Sequence, residues 1–207
     1  MKSSFLFALS FKSAFLAYGL ALSPAAAQMI TTPSEVKGGT YVVEPGHTQV
    51  GFSVLHLGFT NYSGVFSDVS GTLELDPKKP SASKLNVTIP IASVQTTSAK
   101  LTDELKSAQW FDAAQFANAT FTSTKVELTG KNTATVTGTL TLHGVTKPTV
   151  LAVHFIAAGI NPLDKKYTVG FEATGTIKRS DYDVKTYLPL IGDQVQLKIA
   201  GAFEHQD

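Results

Sequence analysis

Five histidines, His47, His56, His143, His154 and His205, are the chain's main candidates for acid–base or metal chemistry. None lies two or four positions from another, the spacings that set two imidazoles on one face for a metal ion. The chain has no cysteine, which removes thiol nucleophiles, iron–sulfur clusters and thiolate zinc sites. No Gly-x-Ser-x-Gly elbow, phosphate loop or Ser/His/Asp set is present. Asp103 and Glu104 are adjacent and read as a solvated helix face rather than a catalytic pair. The sequence therefore assigns no catalytic residue and no metal site.

Arg179 is the only arginine. It follows Ile177 in the inward phase of a predicted strand, so its guanidinium is expected to point into the mouth of an apolar cavity, where a charge needs a partner. Asp181 or Asp183 would make a structural ion pair. An anionic head group on a ligand would equally suit the planar donor fork of the guanidinium. His56 shares its phase with Phe52 and Val54 and is expected to face inward. A hydrogen-bonded interior histidine is the default for it, a head-group contact comes second and a metal ligand third.

The elements that position these residues are strands. From Thr40 the apolar residues alternate with a period of two. The first such segment runs from Tyr41 to His56, bent near Pro45-Gly46. The second covers 62–75, with Val65, Val69, Leu73 and Leu75 in phase. The third carries Leu85, Val87, Ile89 and Ile91. Between the third and fourth the period changes: Leu101, Leu105 and Ala108 recur at helical spacing. One short helix is predicted there, capped by Thr97 or Ser98. Strands resume at 119–129, 133–143, 149–157, 167–177 and 195–203.

Eight strands joined by short turns imply antiparallel neighbours. A sandwich and a closed barrel both satisfy the pattern, and strands of about ten residues favour the barrel. The inward rings are expected to be Phe52, Phe121, Phe155, Phe171 and Phe203. Trp110-Phe111, just after the helix, is expected to close one mouth. Ala134, Gly138, Ala173, Gly175 and Gly201 are small inward residues, and small residues on long strands are expected to leave an apolar pocket.

The first 27 residues read as a cleaved signal peptide. Lys2 and Lys12 flank apolar runs, Pro24 breaks any helix, and Ala25-Ala26-Ala27 offers a cleavage site near Ala27. The apolar run is shorter than the roughly 20 residues a membrane span needs. Residues 28–39 read as a flexible lead-in and 40–207 as one domain. Removing the leader takes the formal charge from +1 to about −1. Nucleic acid, which needs clustered lysine and arginine, is not an expected partner on these grounds.

Several segments together resemble the YceI family of periplasmic, lipocalin-like proteins. Pro45-Gly46-His47 with Phe52 and His56-Leu57-Gly58-Phe59 is similar to that family's opening strand, and Gly64 through Gly71 with Phe66 to its second. Leu105-Lys106-Ser107, Trp110-Phe111-Asp112 and Ala119-Thr120-Phe121 resemble its helix and the strand that follows. The most specific run is Leu140-Thr141-Leu142-His143-Gly144-Val145-Thr146-Lys147-Pro148. Arg179-Ser180-Asp181-Tyr182 and Gly192-Asp193-Gln194-Val195 complete the order. Three positions depart from the family pattern: Glu104 replaces a usual His, Trp110 a usual Phe, and Asp183 a usual Gly.

The resemblance implies an all-β, eight-stranded antiparallel lipocalin-like barrel with one short helix between strands three and four. It implies a bound polyisoprenoid lipid, such as an isoprenoid quinone or its precursor, frequent homodimers, and no settled catalytic activity or cofactor. The expected function is a periplasmic carrier with no permanent membrane anchor. Phe52, Val54, Phe121, Phe155, Phe171, Phe203, Trp110 and Phe111 are expected to line the cavity. Arg179, His56 and Tyr182 are expected at the head group. Two other readings stay open: a lipid- or quinone-modifying enzyme using His56 or His143 as acid or base, and a stress-related protein-interaction module.

Overall fold

The computed structural model describes residues 29–206. The expected leader and its cut near Ala27 lie outside the described residues. The strands are β1 (Gly39–Val43), β2 (Gln49–His56), β3 (Thr60–Phe66), β4 (Ser70–Leu75), β5 (Lys84–Pro90), β6 (Gln95–Thr96), β7 (Asn118–Leu128), β8 (Thr133–Leu142), β9 (Val145–Ile160), β10 (Tyr167–Lys178) and β11 (Ile191–His205). One helix, α1 (Ala99–Lys106), lies between β6 and β7.

Eight strands form a ring in the order β1–β4–β5–β7–β8–β9–β10–β11, and β11 pairs back onto β1 from Tyr41↔His205 to Val43↔Phe203. Every pairing is antiparallel. Closure leaves the ring without an exposed edge, which is how an all-β chain avoids adding further strands. The barrel expected from the alternation is therefore present. The N-terminal half of β11 also pairs with β2, on the same edge as β1, and β3 and β6 follow from it, with Val50, Phe52 and Phe66 still facing the interior.

The helix was expected between strands three and four, and it follows the sixth instead. The reason is that two long apolar segments each break in two. In the first, the Glu44 carboxylate accepts the backbone N–H groups of Gly46 and His47, both at 2.8 Å, and closes a turn between β1 and β2. In the second, Asp68 adopts a left-handed conformation (φ 55°) between β3 and β4. The alternation slips there: Phe66 and Val69, three apart, both face the interior. The two-residue β6 is too short to show any period.

Ser98 caps α1, its hydroxyl accepting the Leu101 N–H at 3.3 Å. Leu105 anchors the helix in the core. The expected flexible lead-in is pinned along its described part. Ile30 exchanges backbone hydrogen bonds of 2.7 and 2.8 Å with Ala158, a short 3-10 turn covers Pro33–Glu35, and Val36 is buried. No helix among the described residues is long and apolar enough to cross a membrane.

Candidate ligand-binding site

The ring encloses a cavity of about 300 Å³. Its wall is built from the inward positions of almost every strand. Val195, Leu197, Ile199, Gly201 and Phe203 on β11 alternate into it, as do Thr149, Leu151, Val153 and Phe155 on β9. Phe171, Ala173 and Ile177 on β10 complete that side. On β7 the phase changes across a bulge between Ser123 and Lys125, so Phe121 and Val126 both point inward. The aromatic rings form an edge-to-face chain: Phe155 to Phe171 at 5.7 Å, and Phe171 to Phe203 at 6.1 Å.

The two ends of the cavity differ. At one end the wall is made by Phe66, Ile91, Leu142, Thr149 and Arg179, all buried, with Phe111 leaning on Phe66 at 5.6 Å. This is a floor. At the other end the lining reaches the exposed Lys84, Leu128 and Lys131, with Pro33, Pro77 and Pro80 beside them. This is a mouth. It is framed by the β4–β5 loop, the β7–β8 turn and the pinned lead-in.

Of the residues expected to line the cavity, Phe52, Phe111, Phe121, Phe155, Phe171 and Phe203 do so. Val54 and Trp110 do not. Val54, registered against Val195 on β11, packs against the core without reaching the cavity. Trp110 is buried behind the floor instead of closing a mouth: its indole N–H donates to Glu104 Oε1 at 3.2 Å. Glu104 is thus a structural acceptor on α1 and not merely a solvated charge.

The three expected head-group residues are placed elsewhere or already engaged. Arg179 touches the cavity but is only 5 % exposed. Its Nε donates to Gly192 O (2.8 Å), Nη1 to Val184 O (2.8 Å) and Thr186 O (3.0 Å), and Nη2 to Ile191 O (2.8 Å). Neither Asp181 nor Asp183 pairs with it. Burial lowers its pKa, and nearby Asp193 opposes that shift. The guanidinium therefore organises the 184–192 loop by gathering backbone carbonyls. Tyr182 is buried outside the cavity wall, its hydroxyl within 3.1 Å of Thr149 Oγ1. His56 lies at the end of β2, 6.4 Å from the Tyr62 ring and away from the cavity. His143 is also outside it, with Nδ1 3.1 Å from Tyr182 O.

The small inward residues divide into two groups. Ala134, Ala173 and Gly201 face the cavity and widen it. Gly138 and Gly175 are filled over by neighbours: a Cβ on Gly138 would sit 2.4 Å from Phe121 Cζ, and one on Gly175 would sit 2.8 Å from Leu151 Cδ2. Those two glycines let large side chains lie flat instead of leaving space.

One feature of the mouth had no signal in the sequence. Asn132 donates from Nδ2 to Thr31 O at 3.4 Å, and its Oδ1 is buried with no hydrogen-bond partner. A buried orphan acceptor costs about 1–3 kcal/mol until a donor reaches it. The ionisable side chains in the cavity lining are Lys84, Lys131 and Arg179, with no carboxylate or imidazole among them. Among the described residues no three His, Asp or Glu side chains gather to hold a metal ion.

A family profile described as the YceI-like domain matches residues 41–203. Protein YceI of Salmonella arizonae is 40 % identical over 176 residues, spanning 84 % of this chain and 91 % of that protein. The crystal structure of Burkholderia cenocepacia BcnA superposes with a TM-score of 0.70 at 26 % identity, covering 77 % of this chain and 98 % of BcnA. A polyisoprenoid binding domain from Saccharophagus degradans, implicated in plant cell wall breakdown, shares the fold with a TM-score of 0.61. It is 18 % identical, and the match covers 82 % of this chain and 100 % of that domain.

Proposed function

The chain belongs to the YceI-like family, a binding protein built around a hydrophobic barrel, and from that premise we propose that it carries a long-chain polyisoprenoid lipid through the periplasm. The ligand class is an isoprenoid quinone or its precursor, with its tail inside the barrel. The observation that carries this reading is the cavity of about 300 Å³, walled by aliphatic and phenyl side chains and open at one end. Tail burial is worth about 25 cal/mol per Å² of apolar surface. Ordering a flexible chain offsets part of that gain. The polyisoprenoid binding domain from Saccharophagus degradans lends support through its shared fold.

The head group belongs at the mouth, beside Lys84, Lys131 and the orphan Oδ1 of Asn132, since the polar groups of the floor are already engaged, Arg179 by four carbonyls and Thr149 by the Tyr182 hydroxyl. A hydroxyl on the ligand would satisfy that oxygen. The cavity wall lacks a paired acid and base, which favours binding over turnover. The signal-like leader, with its cut near Ala27, supports the periplasm as the working compartment.

The test is a solution titration with isoprenoid alcohols and quinols of increasing chain length. Saturable binding at one ligand per chain, tightening with length until the cavity is full, is the expected result. No uptake of any isoprenoid would overturn the proposal.

A further inference from the structure

We infer that the mouth end of the barrel, with the tip of the β9–β10 loop and the lysines of the β4–β5 loop, docks on an anionic lipid surface. This rests on the reading of the barrel as a lipid carrier, and it adds the face through which the ligand would be exchanged.

The topology brings three loops to this end: 76–83, 129–132 and 161–166. With Lys84 at the start of β5, they carry six lysines against two aspartates, Asp76 and Asp164. Both carboxylates turn back onto their own loops. Asp76 Oδ1 accepts from the N–H groups of Lys78 and Lys79 at 3.0 and 2.9 Å, and Asp164 Oδ1 from that of Lys166 at 2.9 Å. Three glutamates on adjacent strand ends are each met by a lysine: Glu74 by Lys84, Glu127 by Lys125 and Glu204 by Lys166. Glu35 and Lys37 of the lead-in balance in charge. Against the two aspartates, Lys78, Lys79, Lys131 and Lys165, all exposed, leave a surplus of two positive charges.

Apolar side chains stand among these cations. Leu163, at the loop tip, is 90 % exposed, and Leu128 and Met29 are each about 60 % exposed. Exposed leucines ringed by lysines match the interface of an anionic bilayer, where the apolar tips enter and the ammonium groups stay with the head groups.

The opposite end is apolar too, with Leu57, Phe59, Tyr187 and Leu190 exposed. It differs in two respects. The acidic residues of its helix, loops and strand ends (Asp103, Glu104, Asp112, Asp181, Asp183, Asp193) are matched by as many cations (Lys100, Lys106, Lys147, Lys178, Arg179, Lys185), leaving no positive surplus. It also covers the floor of the cavity. A tail that passes from a bilayer into the barrel without crossing water must enter at the mouth, which selects the lysine-bearing end.

The experiment is co-flotation of the chain lacking its first 27 residues, which retains every described element, with phosphatidylcholine vesicles made with and without phosphatidylglycerol. Binding should require phosphatidylglycerol and fall as salt rises. The variant Lys78→Ser/Lys79→Ser should bind about fivefold more weakly per lysine removed. Leu163→Ser should weaken it further. Phe59→Ser/Leu190→Ser, at the other end, should bind like the parent. Equal binding to neutral vesicles, or loss only in the Phe59/Leu190 variant, would overturn the docking face, the latter pointing to the floor end. Isoprenoid uptake, titrated separately without vesicles, tells the two readings apart. Uptake with no vesicle binding sinks the docking face alone, and vesicle binding with no uptake sinks the carrier reading.

Discussion

The Arg179 guanidinium lies 5.6 Å from the centroid of the Trp110 ring, so the chain's one arginine and one tryptophan seal the barrel floor together. Trp110 covers the cation, and the cation gathers the carbonyls of the loop before β11. A lysine keeps the charge but cannot fan donors to four carbonyls. Arg179→Lys should therefore cost about 3 kcal/mol, set by hydrogen bonds from a buried charged group. Urea unfolding measures it. A loss below about 1 kcal/mol would mean that solvent replaces those bonds at little cost.

Gly138 lies under the Phe121 ring. A valine there would drive Cβ to within 2.4 Å of Cζ and 2.5 Å of Thr122 O. The ring can only move into the cavity. Gly138→Val should cost about 1–3 kcal/mol and narrow the ligand space as well. A thermal melt and a ligand titration on the same variant check both effects. An unchanged melt would show that the strand relaxes outward.

Much of this fold was legible because a closed antiparallel barrel writes its inside and outside into alternate residues. Phe171, Ala173 and Ile177 follow that code to the end of β10. It fails where the backbone leaves the regular pleat. The turn closed by Glu44 and the left-handed Asp68 (φ 55°) each split a segment, which with the two-residue β6 moved the helix from after the third strand to after the sixth, and the bulge after Ser123 changes the inward phase along β7. The site was harder to read. Arg179 was expected at the cavity mouth and lies in the floor, because its partners are the backbone carbonyls of the 184–192 loop, which have no sequence signature. His56 kept the inward phase but is the last residue of β2, beyond the reach of the cavity that Phe52 lines. Asn132 gave no signal at all, because an orphan acceptor exists only once the turn and the lead-in have met around it.

Asn132 gives a test of head-group placement. Asn132→Leu removes the orphan Oδ1 together with the long Nδ2 bond to Thr31 O, and the two effects should leave stability within about 1 kcal/mol of the parent. If a ligand hydroxyl fills that acceptor, affinity for isoprenoid alcohols falls by about five- to tenfold, as loss of one hydrogen bond allows. Affinity for the parent hydrocarbon should not change. An equal effect on both ligands would remove the head group from this rim.

Asp193 makes stability depend on acid. Burial alone would push its carboxyl up, but the Ser180 N–H and hydroxyl, with Arg179 and Lys178 nearby, outweigh that and hold it below its ordinary value. A carboxyl lowered in the folded state adds stability above its unfolded pKa, near 4, and loses it as pH drops through the folded value. The parent should exceed Asp193→Asn in stability at neutral pH, and the gap should shrink below about pH 4. Denaturant midpoints across that range measure it. Parallel curves would deny Asp193 the role.

The most direct measurement of the carrier claim is native mass spectrometry of the protein recovered from exporting cells without organic extraction. The prediction is a second species, heavier by one isoprenoid lipid, that disappears in Ala173→Phe, where a ring would fill the cavity while the melt stays near the parent. A single unladen mass in the parent, or an adduct that survives in Ala173→Phe, would contradict a lipid held inside the barrel.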